Sequence, residues 1–432
     1  MHSTGTFWYP SVNPDPAATA DRAYDFLYRL VTDVGPRPAG SPAEDQAREM
    51  LAGDLGRWGY ILQRQSFHFA PQPDYFPFYL VPAVIFPLAV WLVPSFPWLA
   101  LLLPLLPPLL PQLADLLAGL LRPSHESCNL LALPEGAELA NLDLLLVAHV
   151  DTARAIPSRG ELWYQWRIQI FPVMQRLAWI LAGLALLNVF GLNIPRDFFL
   201  VGGVMASMLS IALLVQDLWE QPGSRGHFSP GANDNASGAG VLMALAEQIS
   251  AHPPQRLRVG FAFSSAEECG LTGAKALARA MAQSGARTRV VSVDMVASGD
   301  RLNVVTRAGR FFPRRSDPDL VAWLHRADPQ AGELVYTLRS GDFVPFIQAG
   351  LPAAGLEGSG SPRFWRAYHT LRDGLAVVEP AALQRTVSTL TQLIWLLDKE
   401  ARFIGNMREE GHTTADPKEP EANLDSAAGA RL

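Results

Sequence analysis

Residues 75–114 form a run of 40 without one charged side chain. Wound as a helix at ~1.5 Å per residue, the run would reach about 60 Å, twice the ~30 Å hydrocarbon thickness of a bilayer. Pro94 and Pro97 divide it into two arms, which suggests a membrane hairpin. The second arm carries Pro104, Pro107, Pro108 and Pro111, which a regular helix resists, so a broken or interfacial segment stays open there. A second apolar block is cleaner: residues 177–195 and 198–216 are 19 uncharged residues each, separated only by Arg196 and Asp197. The alternative to a transmembrane pair is a pair of buried core helices.

The rest of the chain reads differently. Residues 1–16 are polar and proline-dotted, a loose arm. Helical spacing over 17–34 sets Tyr24, Leu27, Leu30 and Val31 on one face. After the break Gly35-Pro36-Arg37-Pro38-Ala39-Gly40, a capping Ser41 and a first-turn Pro42 open a second helix that runs to about Trp58. Residues 60–69, 129–133 and 142–150 read as strands. Past Arg225 come a helix entered near Asp234, a strand over 257–264, a helix over 271–281 and a strand over 288–294. A helix around 317–326, the segment 342–356 and an amphipathic helix from 380 to about 399 follow. Strands alternating with helices predict an α/β sheet with helices on both faces. The tail 409–432 is polar and poor in large apolar residues, and is expected to be disordered. The expected domains are an arm (1–16), one catalytic domain (17–74, 122–176 and 217–408) and two membrane insertions (75–121 and 177–216) before that tail.

A net charge of −6 without a Lys/Arg block argues against nucleic acid as a partner. Cys128 and Cys269 are the only cysteines, too few for a disulfide framework or a thiolate metal site, and are expected to be small buried residues. No basic start followed by an apolar core opens the chain, so no cleavable signal peptide is expected.

Five short signals fall at predicted strand ends or in loops. Ser229 to Gly238 is a glycine-led turn that delivers Asp234 to the mouth of a helix, where an N-cap would sit and where the helix end favours an ionised carboxylate. In Ala148-His149-Val150-Asp151, residues two apart share a face, so Asp151 lies beside His149 and could fix its tautomer. Glu267-Glu268 follows a run of small and apolar residues; one carboxylate can face a metal while its neighbour handles a proton. Asp294 closes an apolar strand, where α/β folds place ligands. Tyr368-His369-Thr370, with Asp373 beyond, is the fifth. Imidazole and carboxylate donors without thiolate suit a two-zinc hydrolytic centre.

The order and wording of these signals resemble the co-catalytic zinc aminopeptidases, the metallopeptidase family of the bacterial leucyl aminopeptidases and the glutamate carboxypeptidases. The resemblance covers about residues 17–58, 127–152 and 229–398 and leaves out the apolar blocks. It implies a zinc-exopeptidase-like three-layer sandwich around a mostly parallel mixed sheet, here with transmembrane hairpins inserted. It also implies two zinc ions, one on His149, Asp234 and Asp294, the other on Asp234, Glu268 and His369, with Asp234 as bridge. Glu267 matches the family's general base, Asp151 its partner behind the ligands, and Tyr368 a position that in some relatives hydrogen-bonds the reacting carbonyl. One departure is visible: a segment that usually reads Ser-Asp-His is here Gly341-Asp342-Phe343, so the wall of the substrate site is expected to differ. The implied substrate is a peptide with a free N-terminus.

His149 precedes the second apolar block and Asp234 follows it, so that block must cross a membrane an even number of times for both to meet one metal. Two hairpins on one membrane face are expected, with the lipid bilayer as a partner. Arg64, Arg122, Arg159, Arg167, Arg176 and Arg225 fall on the domain side against Arg196 on the other, which puts the domain in the cytoplasm. Glutaminyl cyclases resemble the same family and bind a single zinc; carboxypeptidase relatives share the ligands. A membrane receptor that kept the fold without catalysis is the reading from another class.

Overall fold

The computed structural model describes residues 15–70, 76–106, 109, 124–155, 161–220, 227–309, 313–336, 339–361 and 363–409. The expected tail beyond 409 and nearly all of the expected arm lie outside these residues.

Among the described residues nine strands form one sheet: β1 (Ile61–Phe69), β2 (His125–Leu133), β3 (Leu144–His149), β4 (Val259–Ser264), β5 (Arg289–Asp294), β6 (Arg301–Ala308), β7 (Arg314–Arg315), β8 (Gly332–Tyr336) and β9 (Ala353–Ser359). Their order is β1-β2-β4-β3-β5-β9-β6-β7, with β8 on β6. The four central strands β4, β3, β5 and β9 are parallel. The β1–β2, β2–β4, β9–β6 and β6–β7 pairs are antiparallel, so the expected mostly parallel sheet is parallel only at its centre and at β8. β3 and β4 are buried along their whole length, as an apolar run covered on both faces must be.

Eleven helices are described: α1 (Pro16–Arg29), α2 (Pro42–Arg57), α3 (Phe76–Leu92), α4 (Glu161–Val189), α5 (Arg196–Glu220), α6 (Ser237–Ala251), α7 (Thr272–Gln283), α8 (Pro318–Ala327), α9 (Phe343–Gln348), α10 (Phe364–Ala367) and α11 (Pro380–Glu409). α2 starts as its sequence predicts, with the Ser41 hydroxyl accepting the Glu44 N–H at 3.2 Å. One face of the sheet carries α1, α2, α6, α8 and α11 over a core that includes Phe26, Leu51, Leu245, Leu324 and Leu390. The other face carries α7 and α9 through Leu277, Met281, Phe343 and Phe346. The result is the expected helix–sheet–helix sandwich. α6 is buried on nearly every side, which its run of small and apolar residues permits. A Cβ at Gly238 would lie 2.2 Å from the Val293 carbonyl oxygen, so only glycine lets the start of α6 press against the end of β5.

The apolar segments depart from expectation. α3 fills the first arm, and after Pro97 the described start of the second arm forms short 3-10 turns, Pro97–Leu101 and Leu103–Leu105, while most of the rest of that arm lies outside the described residues. The prolines remove the N–H groups a helix would need there. In the second block α4 begins at Glu161, well before residue 177, and the chain breaks over 190–195 rather than at Arg196 and Asp197. Among the described residues one window of 18, Pro172–Val189, is apolar and long enough to cross a bilayer, so two full transmembrane hairpins do not stand on that measure. The two segments also do not stay apart. α3 packs on α5, α4 packs on the 3-10 turns, and Phe86, Val90, Leu103, Met174, Leu181 and Phe199 share a core separate from that of the sheet. Outward, Trp98, Trp179, Val189, Phe190 and Met208 are each 60–75% exposed. Cys128 and Cys269 are half-buried, less enclosed than expected.

Candidate metal centre

β3 continues to β4 on one side, and the chain then crosses to β5 on the other, leaving a crevice at the carboxyl ends of these strands. His149 is the last residue of β3 and Asp294 the last of β5. Glu267 and Glu268 follow β4 closely, Asp234 sits in the turn Ala232–Ala236 before α6, and His369 follows α10. Three of the four non-glycine residues at positive φ among the described residues adjoin this crevice: Ala266 before Glu267, Met295 after Asp294, and His369 itself. Such conformations cost of order 1–3 kcal/mol each and gather where geometry is dictated by function.

Asp234 is not the N-cap its sequence suggests. Asn235 accepts the Gly238 N–H at 2.9 Å instead, and the Asp234 carboxylate turns into the crevice. There its Oδ1 lies 3.2 Å from His149 Nε2 and its Oδ2 3.1 Å from His369 Nε2. His149 Nε2 is 3.5 Å from Asp294 Oδ1, and His369 Nε2 is 3.3 Å from Glu268 Oε1. All five residues proposed as ligands thus converge, as two sets sharing Asp234: His149, Asp234 and Asp294, then Asp234, Glu268 and His369. Within each set the ligand atoms lie within 4.8 Å of one another. His149 Nε2, Glu268 Oε1 and Asp294 Oδ1 are buried without a hydrogen-bond partner among the described residues, as donors waiting on a cation would be. Nitrogen and oxygen donors in threes fit zinc with a position left open for a substrate.

The surroundings hold this geometry through backbone bonds. The Asp151 carboxylate accepts the N–H groups of Glu267 and Glu268, each at 3.1 Å. His149 Nδ1 lies nearer the Asp151 backbone oxygen (3.1 Å) than its carboxylate (3.6 Å), so the side chain expected to set the imidazole tautomer mainly positions the two glutamates. Asp373, to which the sequence attached no role, accepts the N–H groups of Asn233 and Asp234 at 2.8 and 3.0 Å. Arg37, also without a role in the sequence reading, is wholly buried. Its guanidinium donates to the carbonyls of Leu30, Gly35, Val150, Pro230 and Gly231, tying the chain after His149 to the chain before Asp234. The one signal for it is an arginine between prolines in a glycine-bracketed break.

Burial shapes the ionisation. It pushes Glu267 well above the usual carboxylate range, with the Glu268 charge adding to it. It raises Glu268 too, and carries Asp373 to about 7, helped by Asp234. For Asp234 burial is outweighed by His149 and His369, which hold it far below that range. Tyr368 stacks on His369, ring centroids 3.9 Å apart, so its ring braces the imidazole plane. Phe343 of the departing Gly341-Asp342-Phe343 segment does not wall the crevice but is buried in the core beside Tyr336, while Asp342 accepts a hydrogen bond from Ser264.

Residues 217–394 match the family model described as peptidase family M28. That stretch, less than half of the chain, carries Asp234, Glu267, Glu268, Asp294 and His369. None of the curated proteins compared with this chain matches it. Among solved structures it is similar to a leucine aminopeptidase precursor from Bacteroides thetaiotaomicron (16% identity, 87% of this chain and 96% of that one, TM-score 0.51). It is also similar to a zinc aminopeptidase from Bacillus subtilis (14%, 88% and 95%, 0.51). A glutaminyl cyclase from Bacteroides thetaiotaomicron is similar as well (15%, 87% and 97%, 0.52). At such identities these likenesses speak for the fold.

Proposed function

We propose that this chain is a member of peptidase family M28 and a two-zinc exopeptidase that releases N-terminal residues from peptides. The observation that carries the reading is Asp234, whose two oxygens face two imidazoles and so serve two complete donor sets. When bound, the cations would acidify a water and polarise the scissile carbonyl. His149, Asp234 and Asp294 would hold one of them, and Asp234, Glu268 and His369 the other. Glu267 takes the proton of the attacking water and returns it to the leaving amine; its burial favours a carboxyl able to hold that proton between the two steps. Asp151 keeps Glu267 and Glu268 in register through their N–H groups, and Tyr368 keeps His369 in plane.

Glu267→Gln should lower kcat for aminoacyl amides by about 10²–10⁴-fold while metal analysis still finds two zinc ions per chain. Retained turnover removes the base assignment. One zinc per chain would favour the acyl transfer of a cyclase over hydrolysis.

The apolar body completes the reading as a membrane anchor. α4 and α5, at 29 and 25 residues, are about 43 and 37 Å long, enough for a ~30 Å hydrocarbon layer. Trp179, Ile180 and Val189 of α4 and Phe198, Val201 and Met208 of α5 face outward, where lipid rather than water suits them. The arginine bias puts the catalytic domain on the cytoplasmic face. Digestion of that domain by protease outside intact cells would overturn the sidedness.

A further inference from the structure

The register of the sheet says where the apolar body stands relative to the crevice. β3, β4 and β5 run the same way and end together, with His149 opposite Ser264. β2 runs against β4, with Leu130 opposite Phe263 and Ala132 opposite Phe261, so the start of β2 lies at the carboxyl end of β4. Phe69, the last residue of β1, pairs with His125, the first of β2. The first apolar segment, between these two residues, therefore opens on the same sheet edge as the metal centre.

The second segment opens there too. It leaves after Ala155 and returns at His227, and its root is clamped by Ala155 N–H to the His227 oxygen (3.0 Å) and Ser229 N–H to the Ala153 oxygen (2.9 Å). Six residues separate Ala155 from His149 and seven separate His227 from Asp234. Fully extended chain spans at most ~3.6 Å per residue, so both roots lie within about 25 Å of a metal ligand. α10, which leads directly into Tyr368 and His369, packs against α4. Anchorage alone did not require this, since the opposite sheet edge could have carried the same segments.

We infer that the catalytic crevice faces the bilayer surface, and that its substrates are peptide N-termini held at that surface on lipid-anchored or membrane-inserted chains. The inference rests on the peptidase reading and on the apolar body lying in lipid. Leu371, two residues past His369, is 55% exposed and marks the rim that would meet the headgroups.

The test uses the full chain in phosphatidylcholine–phosphatidylglycerol vesicles. Peptides with an N-terminal leucine are tethered to phosphatidylethanolamine through spacers of about 4 or about 20 residues, reaching at most about 14 or 70 Å. The short-spacer peptide should lose its leucine at least as fast as the long one, and both about tenfold faster than untethered peptide at equal bulk concentration. Cleavage of the long-spacer peptide alone, or equal rates with untethered peptide, overturns the inference.

A second readout is independent of turnover. With Cys128 and Cys269 replaced by Ser, a fluorophore on Leu371→Cys should be quenched by headgroup-nitroxide lipid. One on Glu135→Cys, in the turn after β2 at the far edge, should not; equal or reversed quenching overturns the placement. If no peptide is cleaved while Leu371 is quenched, the peptidase reading falls and the substrate class with it, and the placement survives.

Discussion

In the sheet body the large apolar side chains point inward and a handful of carboxylates are forced together at one edge. The body built from the two apolar segments has a core of its own, Phe86, Met174, Leu181 and Phe199 among it, and yet also turns Trp98, Trp179, Phe190 and Met208 outward. Both bodies obey the same rule, that each side chain seeks the medium that suits it, and under the proposed anchoring they differ in the medium. The sheet body spends its stability on holding buried charge, as the Arg37, Asp151 and Asp373 bonds attest. The apolar body holds almost none.

That contrast can be broken at four points, in falling order of effect. Phe261 is fully buried on β4, and Phe261→Ala should cost about 3–5 kcal/mol by denaturant unfolding; a cost under about 1 kcal/mol would mean the sheet core is loose. Ile180 is 60% exposed on α4. In lipid, Ile180→Lys should cost roughly 2.5–3.5 kcal/mol of insertion, read as protein lost from carbonate-washed membranes, whereas in water it would improve solubility and harm nothing. Gly203 faces Trp91, whose ring would lie 2.9 Å from an added Cβ. Gly203→Val should therefore part α3 from α5 at about 1–3 kcal/mol in detergent melts, without changing zinc content.

The smallest effect is electrostatic. Burial would raise the Asp328 pKa, but hydrogen bonds from Arg385 and the Gln330 N–H outweigh it and hold it low. Because folding depresses this pKa, the pair's contribution is complete above the ordinary carboxylate value near ~4 and is lost as pH falls through the lower folded value. Asp328→Asn should cost less than about 1 kcal/mol at neutral pH and remove that part of the acid sensitivity, measured as Tm against pH.

Much of the site could be read in the sequence because its ligands are local endings: His149 and Asp294 close apolar strands, and Glu267-Glu268 follows one. Of the central strands β3, β4 and β5 were legible for the same reason, being continuous apolar runs, whereas β9 was read only as part of the segment 342–356. β6 and β8 were missed, since arginines at 301 and 307 and a glutamate at 333 dilute strands that lie near the sheet's edge. Asn235 as the capping residue was missed because it and Asp234 are neighbours of equal capping chemistry, and only packing against β5 separates them. Arg37 left only the faint signal of its proline and glycine neighbours, because most of its partners are backbone oxygens more than a hundred positions away. For the proline-rich arm the sequence left a broken segment open beside a membrane hairpin, and it did not foretell the 3-10 turns of its described part.

The clamp at Ala153–Ala155 and His227–Ser229 has a consequence for how such a chain can change. With Ala155 and His227 already hydrogen-bonded, the intervening stretch could be swapped for a tight turn, or lengthened at a cost that grows only slowly with loop size. Arg37 bolts the flanks on the catalytic side of that joint. If the proposed function and anchoring hold, catalysis and address are separable modules, and a chain trimmed of both apolar segments should stay competent while drifting free.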